Sequence, residues 1–154
     1  MSDAAVVAYL ALGANLGDRA ATIGAALARL DSEGLRVVAR SPLYETEAVA
    51  PDPQPTYLNG AARVETTLSA AALLERCLSV EASLGRARPA GRVHAARTID
   101  IDLLLYGDAL ISEPPALIVP HPRLLERAFV RVPLADVALP GLVHPITGER
   151  LDRR

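Results

Sequence analysis

The chain has 154 residues, a formal net charge of −2 and 51% apolar side chains, enough for the core of one domain and too little positive charge to hold nucleic acid by bulk attraction. All 16 basic side chains are Arg; a P-loop lysine and a Schiff-base lysine are excluded, and any phosphate has to be met by Arg, backbone N–H groups or a metal ion. Cys77 is the only cysteine, which excludes an internal disulfide and a cysteine-rich metal site. No apolar run reaches the roughly 18 residues of a membrane span, and the first residues lack the pattern of a secretion signal. The expected setting is the cytoplasm, with no membrane and no nucleic-acid partner.

Val6 to Leu12 reads as a buried strand, and Gly13 to Asp18 as a turn that opens a helix with Asp18 as its N-cap. That helix carries Ile23, Leu27 and Leu30 on one face and ends at Gly34. Leu35 to Thr46 reads as one long strand, with Pro42 marking an edge or a bulge. Pro51, Pro53 and Pro55 make Glu47 to Thr56 a loop. Tyr57 to Thr66 is the next strand. Ser69 caps a second helix with Leu74, Cys77 and Leu78 inward, closed by Gly85. An Arg-rich loop to Ala96 precedes a strand from Thr98 to Tyr106, a Gly107-Asp108 turn and a short returning strand. After Pro114-Pro115, a short helical stretch follows His121-Pro122 and is interrupted by Pro133. The order β-α-β-β-α-β predicts an α+β fold: a ferredoxin-like, split βαβ sandwich with helices on one face of an antiparallel sheet.

The strongest chemical signal is Arg97-Thr98-Ile99-Asp100-Ile101-Asp102-Leu103. Strand alternation puts Asp100 and Asp102 on one face, about 7 Å apart. Such a pair suits Mg²⁺, which takes one or two carboxylates plus substrate phosphates. An ordinary strand with a polar outer face has the same alternation, but aspartate is a poor strand former. Arg86, Arg88, Arg92 and Arg97 lie just ahead of the pair. Guanidinium groups that dense repel one another unless an anion sits among them, and triphosphate fits; a solvated basic loop is the plainer reading.

Glu81 falls on the apolar face at the end of the second helix, next to the Arg loop, where it serves the site, frays into solvent in the last turn, or pairs with Arg86 or Arg88. His121, bracketed by Pro120 and Pro122, is a positioned donor or a turn histidine. Tyr57 and Asn59, spaced i, i+2, point the same way, so a flat heterocycle can stack on one and bond to the other. Phe129, the only Phe, is a core residue or a second stacking partner. The Gly13-to-Gly17 segment lacks the G-x-G-x-x-G spacing of a dinucleotide site.

Taken together, these stretches resemble the 6-hydroxymethyl-7,8-dihydropterin pyrophosphokinase family of folate biosynthesis. The match runs through Leu12 to Asp18, Tyr44-Glu45-Thr46, Pro53 to Asn59, Gly85 to Arg88, Arg97 to Gly107, Val119-Pro120-His121 and Arg127-Ala128-Phe129. It departs at Val93 to Ala96, where many members carry Trp-Gly-Pro, at Pro122, where some carry Tyr, and near Ala116, where some carry a basic residue. The resemblance implies a Mg-dependent diphosphotransferase with ATP as co-substrate and two Mg²⁺ ions on Asp100 and Asp102. It implies Arg86 and Arg97 on the transferring phosphates, with Arg88, Glu81 and His121 in the ATP pocket and Arg127 facing the phosphates. Thr46, the Val49 backbone, Tyr57, Asn59 and Phe129 would form the pterin pocket. The readings that compete with it are a non-catalytic nucleotide or pterin module and an acidic two-metal nuclease or cyclase.

Overall fold

The computed structural model describes residues 4–46, 56–86 and 99–153. The fold is α+β, an antiparallel sheet with three α-helices among the described residues. Strand β1 (Val6–Ala14) is central, paired with β4 (Tyr57–Thr66) on one side and β5 (Asp100–Tyr106) on the other. Ala8, Leu10, Leu12 and Ala14 point to one face, and Tyr9 and Ala11 to the other. Both faces are covered, which is why β1 reads as an unbroken apolar run. It extends two residues beyond the expected strand, so Gly13 is a strand residue and not part of the turn.

The sheet order is β2-β4-β1-β5, with β3 also on β4. The long strand expected over Leu35 to Thr46 is two strands, β2 (Leu35–Arg40) and β3 (Tyr44–Thr46). Pro42 cannot donate to a ladder, and Ser41 bridges the break. Its backbone N–H donates to the Ala61 carbonyl and its Oγ accepts from the Ala61 N–H, both at 2.9 Å.

Helices α1 (Arg19–Leu30) and α2 (Ala70–Glu81) pack on one face. Asp18 and Ser69 cap them, accepting from the N–H groups of Ala21 and Ala72 at 3.1 Å. Ser69→Ala removes one such bond, and a denaturation midpoint should report a loss of about 1 kcal/mol. Helix α1 stops at Leu30, before Gly34, whose positive φ of 82° serves the turn into β2. The inward stripe of α2 is Leu73, Cys77, Val80 and Glu81, while Leu78 is 49% exposed. The expected stripe was therefore rotated. A wide turn, Ala82–Arg86, closes α2 through Gly85 at φ 98°.

Helix α3 (Ala128–Val137) lies on the opposite face, so the helices are not confined to one side. Val130, Leu134 and Val137 pack there with Tyr9, Ala61, Leu104 and Leu105. Pro133 does not interrupt α3. It has no N–H for the preceding turn, but the helix is held by its buried stripe.

One irregularity sets the site. Tyr9 pairs with Leu105 and Leu10 with Leu103, leaving Leu104 as a bulge in β5. Ile99, Ile101 and Leu103 face α1 and α2, whereas Leu104 and Leu105 both turn toward α3. The Leu104 carbonyl accepts from the His121 N–H at 2.9 Å, which fixes His121 beside β5. The short returning strand does not rejoin the sheet: β6 (Ile111–Glu113) pairs with β7 (Leu117–Val119) as a separate ribbon.

Candidate active site

Antiparallel pairing brings the end of β1 to the starts of β4 and β5. Gly13 is registered with Asn59 on one side and Asp100 on the other, and Ala11 with Ala61 and Asp102. The Asn59 and Asp100 columns thus stand two strand spacings apart, roughly 10 Å, across a floor of small residues. The start of α3 crosses above. The result is a cavity of about 280 Å³ whose lining includes Gly13, Thr46, Tyr57, Asn59, Asp100, Asp102, Arg127 and Phe129.

Asn59 is 6% exposed and its orientation is set by neighbours. Its amide nitrogen donates to Thr46 Oγ1 at 2.7 Å and to the Tyr44 carbonyl at 3.4 Å. That turns the amide oxygen over Gly13, where an added Cβ would stand 3.3 Å from it. The site therefore presents an acceptor at the floor, beside the Tyr57 ring. Phe129 is 40% exposed on α3, with the Arg127 guanidinium 5.6 Å from its ring centroid. Gly13 was read as a turn residue, and no local signal marks it as a floor. Gly13→Ala crowds the Asn59 oxygen, and a ring-shaped ligand should bind about tenfold more weakly while the melting temperature holds within a few degrees; a binding titration beside a thermal melt checks this.

Asp100 is half-buried and Asp102 exposed. Asp102 also lines a second cavity of about 240 Å³, between β5, α2 and β7, with Leu74, Ala116, Ile118, His121 and Pro122. His121 Nδ1 accepts from the Arg123 N–H at 3.1 Å, so the neutral ring carries its proton on Nε2. Burial holds its pKa below the usual histidine range, opposed by Asp102 and reinforced by Arg127 and Arg123. The ring is thus a neutral donor at pH 7.

Glu81 lines neither cavity. It is 2% exposed, and its Oε2 accepts from the Ile101 N–H at 2.6 Å, midway between the aspartates. Cys77 beside it has its thiol pushed up to about 12, by burial first and then by Glu81 and Asp102; it is a core residue with no nucleophilic character. Val49, Arg88, Arg92 and Arg97 lie outside the described residues, as does the Arg86 side chain.

One cavity is thus lined by two aromatic side chains, a buried amide and two adjacent carboxylates, and shares Asp102 with a second. That is the chemistry of a site for a flat acceptor beside a charged donor. The family model for 7,8-dihydro-6-hydroxymethylpterin-pyrophosphokinase matches residues 9–139. A 2-amino-4-hydroxy-6-hydroxymethyldihydropteridine pyrophosphokinase of Methylorubrum extorquens is 47% identical over 88% of this chain and 84% of its own length. The Bacillus subtilis protein of that name is 41% identical over 85% of this chain and 77% of its own. The folic acid synthesis protein fol1 of Schizosaccharomyces pombe is 42% identical over 94% of this chain, which spans only 19% of that longer protein. A crystal structure of HPPK-DHPS in complex with substrates superposes with a TM-score of 0.74 at 13% identity, covering 97% of this chain and 42% of that one; at that identity it speaks for the fold alone. The chain belongs to the 7,8-dihydro-6-hydroxymethylpterin-pyrophosphokinase family.

Proposed function

We infer that the protein transfers the terminal diphosphate of ATP to the hydroxymethyl oxygen of 6-hydroxymethyl-7,8-dihydropterin and releases AMP, in folate biosynthesis in the cytoplasm. The observation that carries this reading is the register that sets Asn59 and Asp100 on either side of Gly13 within one cavity. The fold reading that goes with it is a single ferredoxin-like domain, supported by the order β2-β4-β1-β5 with α1 and α2 on one face.

The ring lies over Gly13 between Tyr57 and Phe129, with its edge donors on the Asn59 oxygen and Thr46 beside it. Its hydroxymethyl group then points toward Asp100. The triphosphate runs past Asp102 into the second cavity, where His121 donates from Nε2. The acceptor oxygen forms its bond to the β-phosphorus as the bond from that phosphorus to the AMP oxygen breaks, and the hydroxyl proton is released. Little covalent work falls to the protein, so positioning and charge stabilisation supply the rate. Arg86, Arg97 and Arg127 are assigned to the phosphate oxygens and Arg88 to ATP, with the Val49 backbone on the pterin edge.

Asp100 and Asp102 fit Mg²⁺: they are hard oxygen donors on one cavity wall, and no group of three or more metal-ligating side chains occurs among the described residues. That suits an ion that keeps water and phosphate ligands instead of an all-protein cage. Two such ions would supply charge neutralisation at the transferring phosphates. Incubation with Mg-ATP should release AMP only when the pterin is present. ATP binding with no AMP would instead indicate a non-catalytic nucleotide module.

A further inference from the structure

Arg19 begins α1 and reaches across to the other side of the pterin slot. One guanidinium nitrogen donates to the Thr56 carbonyl at 2.9 Å and to Thr56 Oγ1 at 2.7 Å. The other lies 2.9 Å from Glu45 Oε2. Thr56 Oγ1 in turn donates to the same Glu45 oxygen at 2.6 Å. The three side chains close a ring of contacts. Glu45 immediately precedes Thr46, and Thr56 immediately precedes Tyr57; Thr46 and Tyr57 are paired across β3 and β4 and both line the cavity.

Strand β3 has only three residues, so its ladder alone fixes it weakly. Alternation sends Tyr44 and Thr46 to the α3 face and Glu45 to the α1 face. From the α3 side the Tyr44 hydroxyl donates to Asp136 Oδ2; from the α1 side Arg19 holds Glu45. The strand is pinned from both faces. Thr46 in turn accepts from the Asn59 amide at 2.7 Å, which aims the Asn59 oxygen at the slot. A shift of β3 therefore passes directly to the acceptor that reads the ring.

An ion pair this exposed contributes little to global stability: the Arg19 side chain is 27% exposed and Glu45 56%. Glu45 is nevertheless held below the usual carboxylate range, by the Thr56 hydroxyl first and then by Arg19, so the contact keeps its charge at working pH. We propose that Arg19, through Glu45 and Thr56, is a positioning residue for the pterin slot, setting the spacing of Thr46 and Tyr57 and with it the affinity for the flat substrate. This rests on the pyrophosphokinase reading of the cavity.

The test is steady-state kinetics with ATP and 6-hydroxymethyl-7,8-dihydropterin on Arg19→Ala, Arg19→Lys and Arg29→Ala, with a thermal melt of each. Arg29 lies on the same helix and donates to Ser83, away from the slot. Arg19→Ala should raise the pterin KM about tenfold, as sub-ångström misplacement of a binding group does. Its kcat, ATP KM and melting temperature should hold, and Arg19→Lys should recover part of the loss. Arg29→Ala should leave the pterin KM unchanged. An unchanged pterin KM in Arg19→Ala overturns the proposal, as does an equal rise in Arg29→Ala or in the ATP KM. A wild-type protein that releases no AMP with the pterin would instead sink the underlying functional reading.

Discussion

Asp100→Ala and Asp102→Ala should each lower kcat/KM for diphosphate transfer by at least about a hundredfold, roughly 3 kcal/mol of transition-state stabilisation. The two carboxylates sit on one face of β5 and line one cavity wall. In the proposed reading their charge would neutralise cations that in turn draw on phosphate oxygens. Asp100 is half-buried and Asp102 exposed, and aspartate is a poor strand residue, so the melting temperature should barely move. The two variants should also differ. Asp102 faces both cavities and Asp100 only the first, so Asp102→Ala should weaken ATP binding more than Asp100→Ala. Measuring kcat, the KM for each substrate and a thermal melt separates these effects. Near-normal turnover of both variants with Mg²⁺ as the only metal would remove the carboxylates from the chemistry.

The second large effect belongs to Glu81. A buried carboxylate that accepts from a backbone N–H is stabilised by a charge-assisted bond, and deleting it leaves the Ile101 N–H without that partner. Glu81→Ala should cost about 2 kcal/mol of stability and about tenfold or more in kcat, because the segment between Asp100 and Asp102 loses its anchor to α2. ATP affinity should stay within a few-fold, since Glu81 lines neither cavity. Glu81→Gln keeps an acceptor oxygen and should recover much of both losses. A Glu81→Ala protein with normal kcat and greatly weakened ATP binding would place Glu81 in the ATP pocket, as the family resemblance implies. A denaturant curve and a titration with a non-hydrolysable ATP analogue distinguish the two.

Much of the sheet was legible in the sequence: β1 shows as an unbroken apolar run, and period-two alternation survives in part of β4 and the first half of β5. The face shared by Asp100 and Asp102, and that shared by Tyr57 and Asn59, follow from it. The Leu104 bulge was not legible: Leu103-Leu104-Leu105 carries no contrast by which a slipped phase could be seen. The inward face of α2 was misread for a similar reason. Leu73, Leu74 and Leu78 are chemically alike, and only packing against the sheet decides that Leu78 stays outside. Pro42 marks the disturbance between β2 and β3, but nothing local says that Ser41 bridges the break. Pro133 looked like a helix breaker, yet the buried stripe of Val130, Leu134 and Val137 outweighs the missing bond, and with α3 went the second covered face.

The site was partly legible in the same sense. The crossing of α3 brings Arg127 and Phe129 to the cavity that Tyr57 and Asn59 line, a long-range juxtaposition that no spacing rule gives and that only the family resemblance anticipated. Gly13 carried only a turn signal and Arg19 none, because what each meets, Asn59 and Asp100 for the one and Glu45 and Thr56 for the other, is far from it in the chain. Glu81 was seen on the apolar side of its helix, but only the register of β5 shows that it meets the Ile101 N–H.

Phosphorus NMR of a reaction containing the protein, Mg-ATP and 6-hydroxymethyl-7,8-dihydropterin tests the central reading most directly. The account predicts that the ATP signals give way in step to AMP and a pterin diphosphate ester, with no ADP and no change when the pterin is omitted. Formation of ADP and a pterin monophosphate, or AMP release without the pterin, would contradict it.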